Sequence, residues 1–79
     1  MKILVRNLNR DTREQHLREL FEPFGQLASC VVVMDEASGR SKGFGFVEMP
    51  SKEAAKKAIK QLNGKKLHGF EIRVKLTKH

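Results

Sequence analysis

The chain has 79 residues, enough for one small domain spanning 1–79, because a chain this short buries only about 60–65% of its unfolded surface. With 39% hydrophobic and 32% charged residues it has the composition of a folded domain and not of a disordered tail. Sixteen Lys and Arg against nine Asp and Glu leave a net charge of +7, a balance that suits a nucleic-acid partner or a merely solvated basic surface, and no apolar run approaches the roughly 18 residues of a membrane span.

One cysteine cannot close an internal disulfide, so Cys30 is expected as a small buried hydrophobe in a reducing, cytoplasmic setting. The histidines His16, His68 and His79 are dispersed and lack ligand spacing, so neither a metal nor another cofactor is expected. The N-terminus shows no signal-peptide pattern.

In chain order, Lys2-Ile3-Leu4-Val5-Arg6 reads as a strand that sorts Ile3 and Val5 to one face and Lys2, Leu4 and Arg6 to the other. Asn7 ends it, a turn former more than a base reader. Thr12 is placed as a helix N-cap, with Gln15 completing a capping box. Leu17, Leu20, Phe21 and Phe24 follow as a one-sided apolar stripe, which Pro23 and Gly25 stop near Glu22. Leu27 to Met34 is a second strand, and the polar run from Asp35 to Ser41 is a loop. Lys42 to Met49, "KGFGFVEM", is the third strand, ended by Pro50. Ser51 caps a second helix with Ala55, Ala58, Ile59 and Leu62 as its stripe, closed by Asn63-Gly64. Phe70 to Leu76 is the last strand, with Ile72, Val74 and Leu76 set against Glu71, Arg73 and Lys75.

The order β-α-β-β-α-β in so short a chain implies an α+β, ferredoxin-like sandwich: a four-stranded antiparallel sheet with two helices on one face. The other face is left to water. On the third strand the helix side receives either Gly45, Val47 and Met49 or Phe44, Phe46 and Glu48. An unpaired carboxylate buried in the core costs several kcal/mol, and Glu48 shares its side with both phenylalanines. Gly45 on the helix side also permits close approach of a helix to the strand. Phe44 and Phe46 are therefore expected on the open face, an aromatic patch that calls for a partner.

"KGFGFVEM" matches the RNP1 signature of the RNA recognition motif at every specified position but the last, where Met49 replaces an aromatic ring. That position falls on the core side, where a flexible apolar side chain fills the space. "ILVRNL", residues 3 to 8, resembles the companion RNP2 hexamer, with Leu4 where the family usually carries an aromatic. "LNGKKLHGFEIRVKL", residues 62 to 76, resembles the family's usual ending, so the likeness spans nearly the whole chain. A chain that begins at Met1 and carries no second domain looks most like the single-domain bacterial proteins of this family.

What the resemblance implies is single-stranded RNA binding on the open face, in post-transcriptional regulation or RNA chaperoning, with no catalysis and as a monomer. Single-stranded DNA shares the same stacking and phosphate interactions and stays open as a partner. Carried over by position, Phe46 stacks a base, Phe44 contacts sugar or a second base, and Lys42 pairs with phosphate. Leu4 offers apolar contact where a ring would stack, so binding should be weaker than on a three-ring sheet. Lys2, Arg6, Arg73 and Lys75 share the open face by alternation, Arg40 lies in the loop before the third strand, and Lys78 in the tail. Lys52, Lys56, Lys57 and Lys60 on the second helix read as a solvated surface. Glu48 and Glu71, acids on the same open face, either meet base amino groups or limit phosphate approach.

Two other readings stand beside this one. Val31 and Val33 widen the apolar part of the open face together with Leu4, which keeps a protein-interaction module in play. An enzyme on the same fold has less to rest on, because the chain shows no nucleophile–base pair, no clustered carboxylates and no phosphate loop. Gly43-Phe44-Gly45 is too short for a dinucleotide loop and sits within a strand.

Overall fold

Branched apolar residues in alternation build the sheet, and two apolar stripes at helical spacing cover one side of it. The computed structural model describes residues 1–77; Lys78 and His79, both named above, lie outside the described residues. The elements run β1 (Lys2–Arg6), α1 (Glu14–Phe21), a single 3-10 turn (Glu22–Phe24), β2 (Ser29–Met34), β3 (Ser41–Glu48), α2 (Lys52–Leu62), β4 (Lys66–Leu67), β5 (Phe70–Glu71) and β6 (Arg73–Thr77). The main sheet is antiparallel throughout in the order β2-β3-β1-β6, so β1 and β3 are central. Neither helix is long and apolar enough to cross a membrane.

The core is the expected one at most positions. Ile3 and Val5 from β1, Cys30 and Val32 from β2, Val47 at the end of β3 with Met49 just past it, and Val74 from β6 are all buried, as is Ile72 ahead of β6. They meet Leu17 and Phe21 of α1 and Ala54, Ala55, Ala58 and Leu62 of α2. Gly45 lies on this side because nothing larger fits: a Cβ there would run into the Val31 carbonyl oxygen and stand 3.3 Å from Leu17 Cδ1. Burial pushes the Cys30 thiol up from its ordinary value, against the pull of the nearby Arg18 charge, as expected of a packed and unreactive cysteine.

Three expectations need correction. Thr12 does not cap α1. It is wholly buried, and its hydroxyl lies 2.8 Å from Nδ1 of His68. Arg13 takes the cap position, and its backbone N–H donates to Nδ1 of His16 at 2.8 Å, where Gln15 was expected to act. His16 and His68 then meet edge to face with centroids 4.6 Å apart. A hydroxyl satisfied by a tertiary partner is unavailable to the helix end, so the acceptor there is the His16 ring nitrogen instead.

The last strand is shorter than its alternation suggested. Phe70 and Glu71 pair with Leu67 and Lys66 in a small separate hairpin. Its two turn residues, His68 (φ 51°) and Gly69 (φ 84°), both take the left-handed conformation that a two-residue hairpin turn demands. Leu76 was expected in the core and is 47% exposed. It stands opposite Ile3 near the end of β6, which is the sheet edge. Edge position leaves it uncovered although its face is the helix side.

Candidate nucleic-acid interface

Antiparallel pairing lines up the open-face side chains in rows across the sheet. The middle row is Val31, Phe46, Leu4 and Lys75, taken across β2, β3, β1 and β6. On one side of it lies the row Phe44, Arg6, Arg73, and on the other Ser29, Glu48, Lys2, Thr77. Directly opposite pairs bring Cβ atoms to about 4.5–5.5 Å, so each row is a set of touching neighbours.

The two rings lie at the centre of this surface. Phe44 and Phe46 are half-buried with centroids 6.1 Å apart and planes at 86°, an edge-to-face pair that fixes both ring orientations. Lys2 Nζ stands 4.7 Å from the Phe46 centroid, so one face of that ring already receives a cation. Leu4 is half-buried between Phe46 and Lys75. It completes an apolar centre with two rings, where the resemblance leads one to expect three.

Cations border the rings on the β1–β6 side. Arg6, Arg73 and Lys75 are exposed. Arg6 and Arg73 stand directly opposite each other, and among the described residues only a solvent-exposed contact from Arg73 to Glu71 (3.5 Å) supplies a counter-charge. Like charges placed opposite are unfavourable, and an anion between them removes that cost. Lys42 is exposed at the start of β3, two residues before Phe44. Arg40 is exposed in the β2–β3 loop, its carbonyl accepting from the Asp35 N–H at 2.7 Å. Seven of the nine expected residues (Lys2, Leu4, Arg6, Phe44, Phe46, Arg73 and Lys75) therefore stand in rows on one surface. Lys42 is exposed in the irregular start of β3, and Arg40 lies in the loop just before it.

The β2 side is apolar instead. Val31 is 46% and Met34 41% exposed, and the β2–β3 register shifts between Val32 and Met34. Arg10 was missed. Its guanidinium donates to the Ser41 carbonyl at 2.9 Å and lies against Gly43, next to Lys42. It sits in the irregular segment after β1, where no periodicity sorts faces. Asn7 behaves as a turn residue, with φ 61° and its side-chain amide donating to the Glu71 carbonyl at 2.7 Å. Lys52, Lys56, Lys57 and Lys60 are all exposed on α2, behind the sheet. Among the described residues no group of three or more His, Cys, Asp or Glu could hold a metal.

The chain is similar to known RNA-binding proteins. The mitochondrial glycine-rich RNA-binding protein 4 of Arabidopsis thaliana is 40% identical over 76 residues, covering 96% of this chain and 56% of that protein. The human "probable RNA-binding protein 23" is 42% identical over 74 residues, covering 94% of this chain and 17% of that one. The chain thus spans between about a sixth and just over half of these relatives. They are plant and human proteins and lend no support to the bacterial likeness. Among solved structures, the crystal structure of the RNA-binding protein PG1 superposes with a TM-score of 0.92 at 41% identity, covering 95% of this chain and 90% of that one. The RNA recognition motif pattern itself matches residues 3–73. With topology, both signature strands and that match in agreement, the chain belongs to the RNA recognition motif family.

Proposed function

We propose that this domain binds single-stranded RNA across its open sheet face. The observation that carries the reading is the pair of half-buried rings Phe44 and Phe46 at the centre of a sheet whose β1–β6 side is cationic. Phe46 stacks a base, Phe44 meets the adjoining sugar or a second base, and Lys2, Arg6, Arg40, Lys42, Arg73 and Lys75 accompany the phosphates. Leu4 adds apolar contact. Members of this family are binding modules and not enzymes, which fits a role in post-transcriptional regulation or RNA chaperoning. Single-stranded DNA offers the same rings and charges and is the natural competitor.

The test is an NMR titration with mixed-sequence single-stranded RNA. Amides of β1 and β3 should shift progressively while those of α1 and α2 stay in place. Open-face amides that do not move at saturating RNA defeat the reading.

A protein-interaction module is the second reading, favoured by one observation: Val31 and Met34 are exposed on the β2 side, with Val31 directly beside Phe46. Val31→Ser separates the two. It should change RNA affinity by less than about threefold if the rings and cations dominate, whereas an apolar protein contact centred on Val31 would be lost.

A further inference from the structure

Glu48 is an acid on a central strand of the open face, in the row next to Phe46. It is exposed at the end of β3, and its backbone is fixed because Val47 and Met49 on either side are wholly buried. Lys2 and Ser29 flank it across β1 and β2, and its carbonyl accepts from the Ala28 N–H at 2.7 Å. Its carboxylate receives only a long contact from the Ser29 hydroxyl, 3.4 Å at Oε1, and among the described residues no cation lies within ion-pair distance of it. Placed beside phosphates without donors of its own, this carboxylate weakens binding. Donors supplied by the bound strand reverse that sign.

Glu48 and Phe46 are two residues apart on one strand face, so a base stacked on Phe46 can present its edge to the carboxylate. Lys2, now over the Phe46 ring at 4.7 Å, must leave that ring face when a base takes it. Its tether opposite Glu48 keeps its ammonium at the edge of the same base. An acceptor pair beside a donor is a defined pattern. Guanine is the base whose Watson–Crick edge carries two adjacent donors, N1–H and the N2 amino group, followed by the O6 acceptor. Adenine and cytosine offer a carboxylate one amino group, and uracil one imino N–H.

Building on the RNA-binding reading above, we infer that the base stacked on Phe46 is guanine, with Glu48 accepting from N1–H and N2 and Lys2 donating to O6. Uridine heptamers carrying a single central guanosine, inosine or adenosine, measured by fluorescence anisotropy, test this directly. The guanosine strand should bind at least about tenfold tighter than the adenosine strand, with inosine, which lacks the N2 amino group, in between. Glu48→Gln should bring the guanosine-to-adenosine ratio close to one while tightening the adenosine strand, because a negative charge is gone. Lys2→Met should lower the ratio by a smaller factor.

Equal binding of the guanosine and adenosine strands overturns the inference. So does a ratio that survives Glu48→Gln, since a carboxylate that only repels phosphate would act on all strands alike. Those results leave RNA binding itself standing. If none of the three strands binds, the RNA reading has failed, and this inference fails with it.

Discussion

On the proposed RNA-binding reading, Leu4 limits affinity at the centre of the face. It stands between Phe46 and Lys75 where a ring would add a stacking surface. Leu4→Tyr should tighten RNA binding by about 1 kcal/mol, roughly fivefold in the dissociation constant. Thr12 shows the opposite case, a residue whose role is set by a distant partner. Its buried hydroxyl and Nδ1 of His68 satisfy each other at 2.8 Å. Thr12→Val keeps the shape and removes the bond, and should cost about 1–2 kcal/mol in urea unfolding. Single residues were legible in the sequence where a local conflict decided them. Phe44 and Phe46 had to face out because Glu48 shares their side. Thr12 was not legible, because its partner lies far along the chain and nothing local separates an inward hydroxyl from a capping one.

At the level of elements, the two glycines Gly45 and Gly69 carry different constraints. Gly69 has open space around a would-be Cβ and a φ of 84°, so Gly69→Ala strains only the hairpin turn and should cost about 1–2 kcal/mol. Gly45 has no such φ, but a Cβ there collides with the Val31 carbonyl of the neighbouring strand. Gly45→Ala should therefore destabilise by several kcal/mol and disturb the β2–β3 pairing. Thermal unfolding of the two variants side by side checks the order. Helices and central strands were legible because their periodicities are long and unbroken. The β4–β5 hairpin was hidden because His68-Gly69 is not a usual turn dipeptide and the alternation of Phe70 to Leu76 runs through it. Leu76 was misplaced for a related reason: alternation gives a face, and only the strand order reveals that this face ends at an edge.

Across the whole molecule, charge is unevenly placed. Of the sixteen Lys and Arg, six (Lys2, Arg6, Arg40, Lys42, Arg73 and Lys75) lie on or beside the open face and four (Lys52, Lys56, Lys57 and Lys60) on α2 behind it. Only the first group lies where phosphates would run. If about five phosphates are engaged, log K should fall with log salt at a slope of roughly −3 to −4. Replacing Lys52, Lys56, Lys57 and Lys60 together by Gln should slow association and leave that slope nearly unchanged. The topology of the main sheet and the central strands' share of the open face could be read from the sequence, since both follow from alternation; Arg10, in an irregular segment, could not. The split of that face into a cationic β1–β6 half and an apolar β2 half needed the strand order as well.

The most direct measurement is the RNA affinity of the Phe44→Ala, Phe46→Ala double variant, with circular dichroism to verify the fold. If bases stack on these rings, the variant stays folded and loses about 2–5 kcal/mol of binding free energy. A folded variant with unchanged affinity would show that the rings are not the platform.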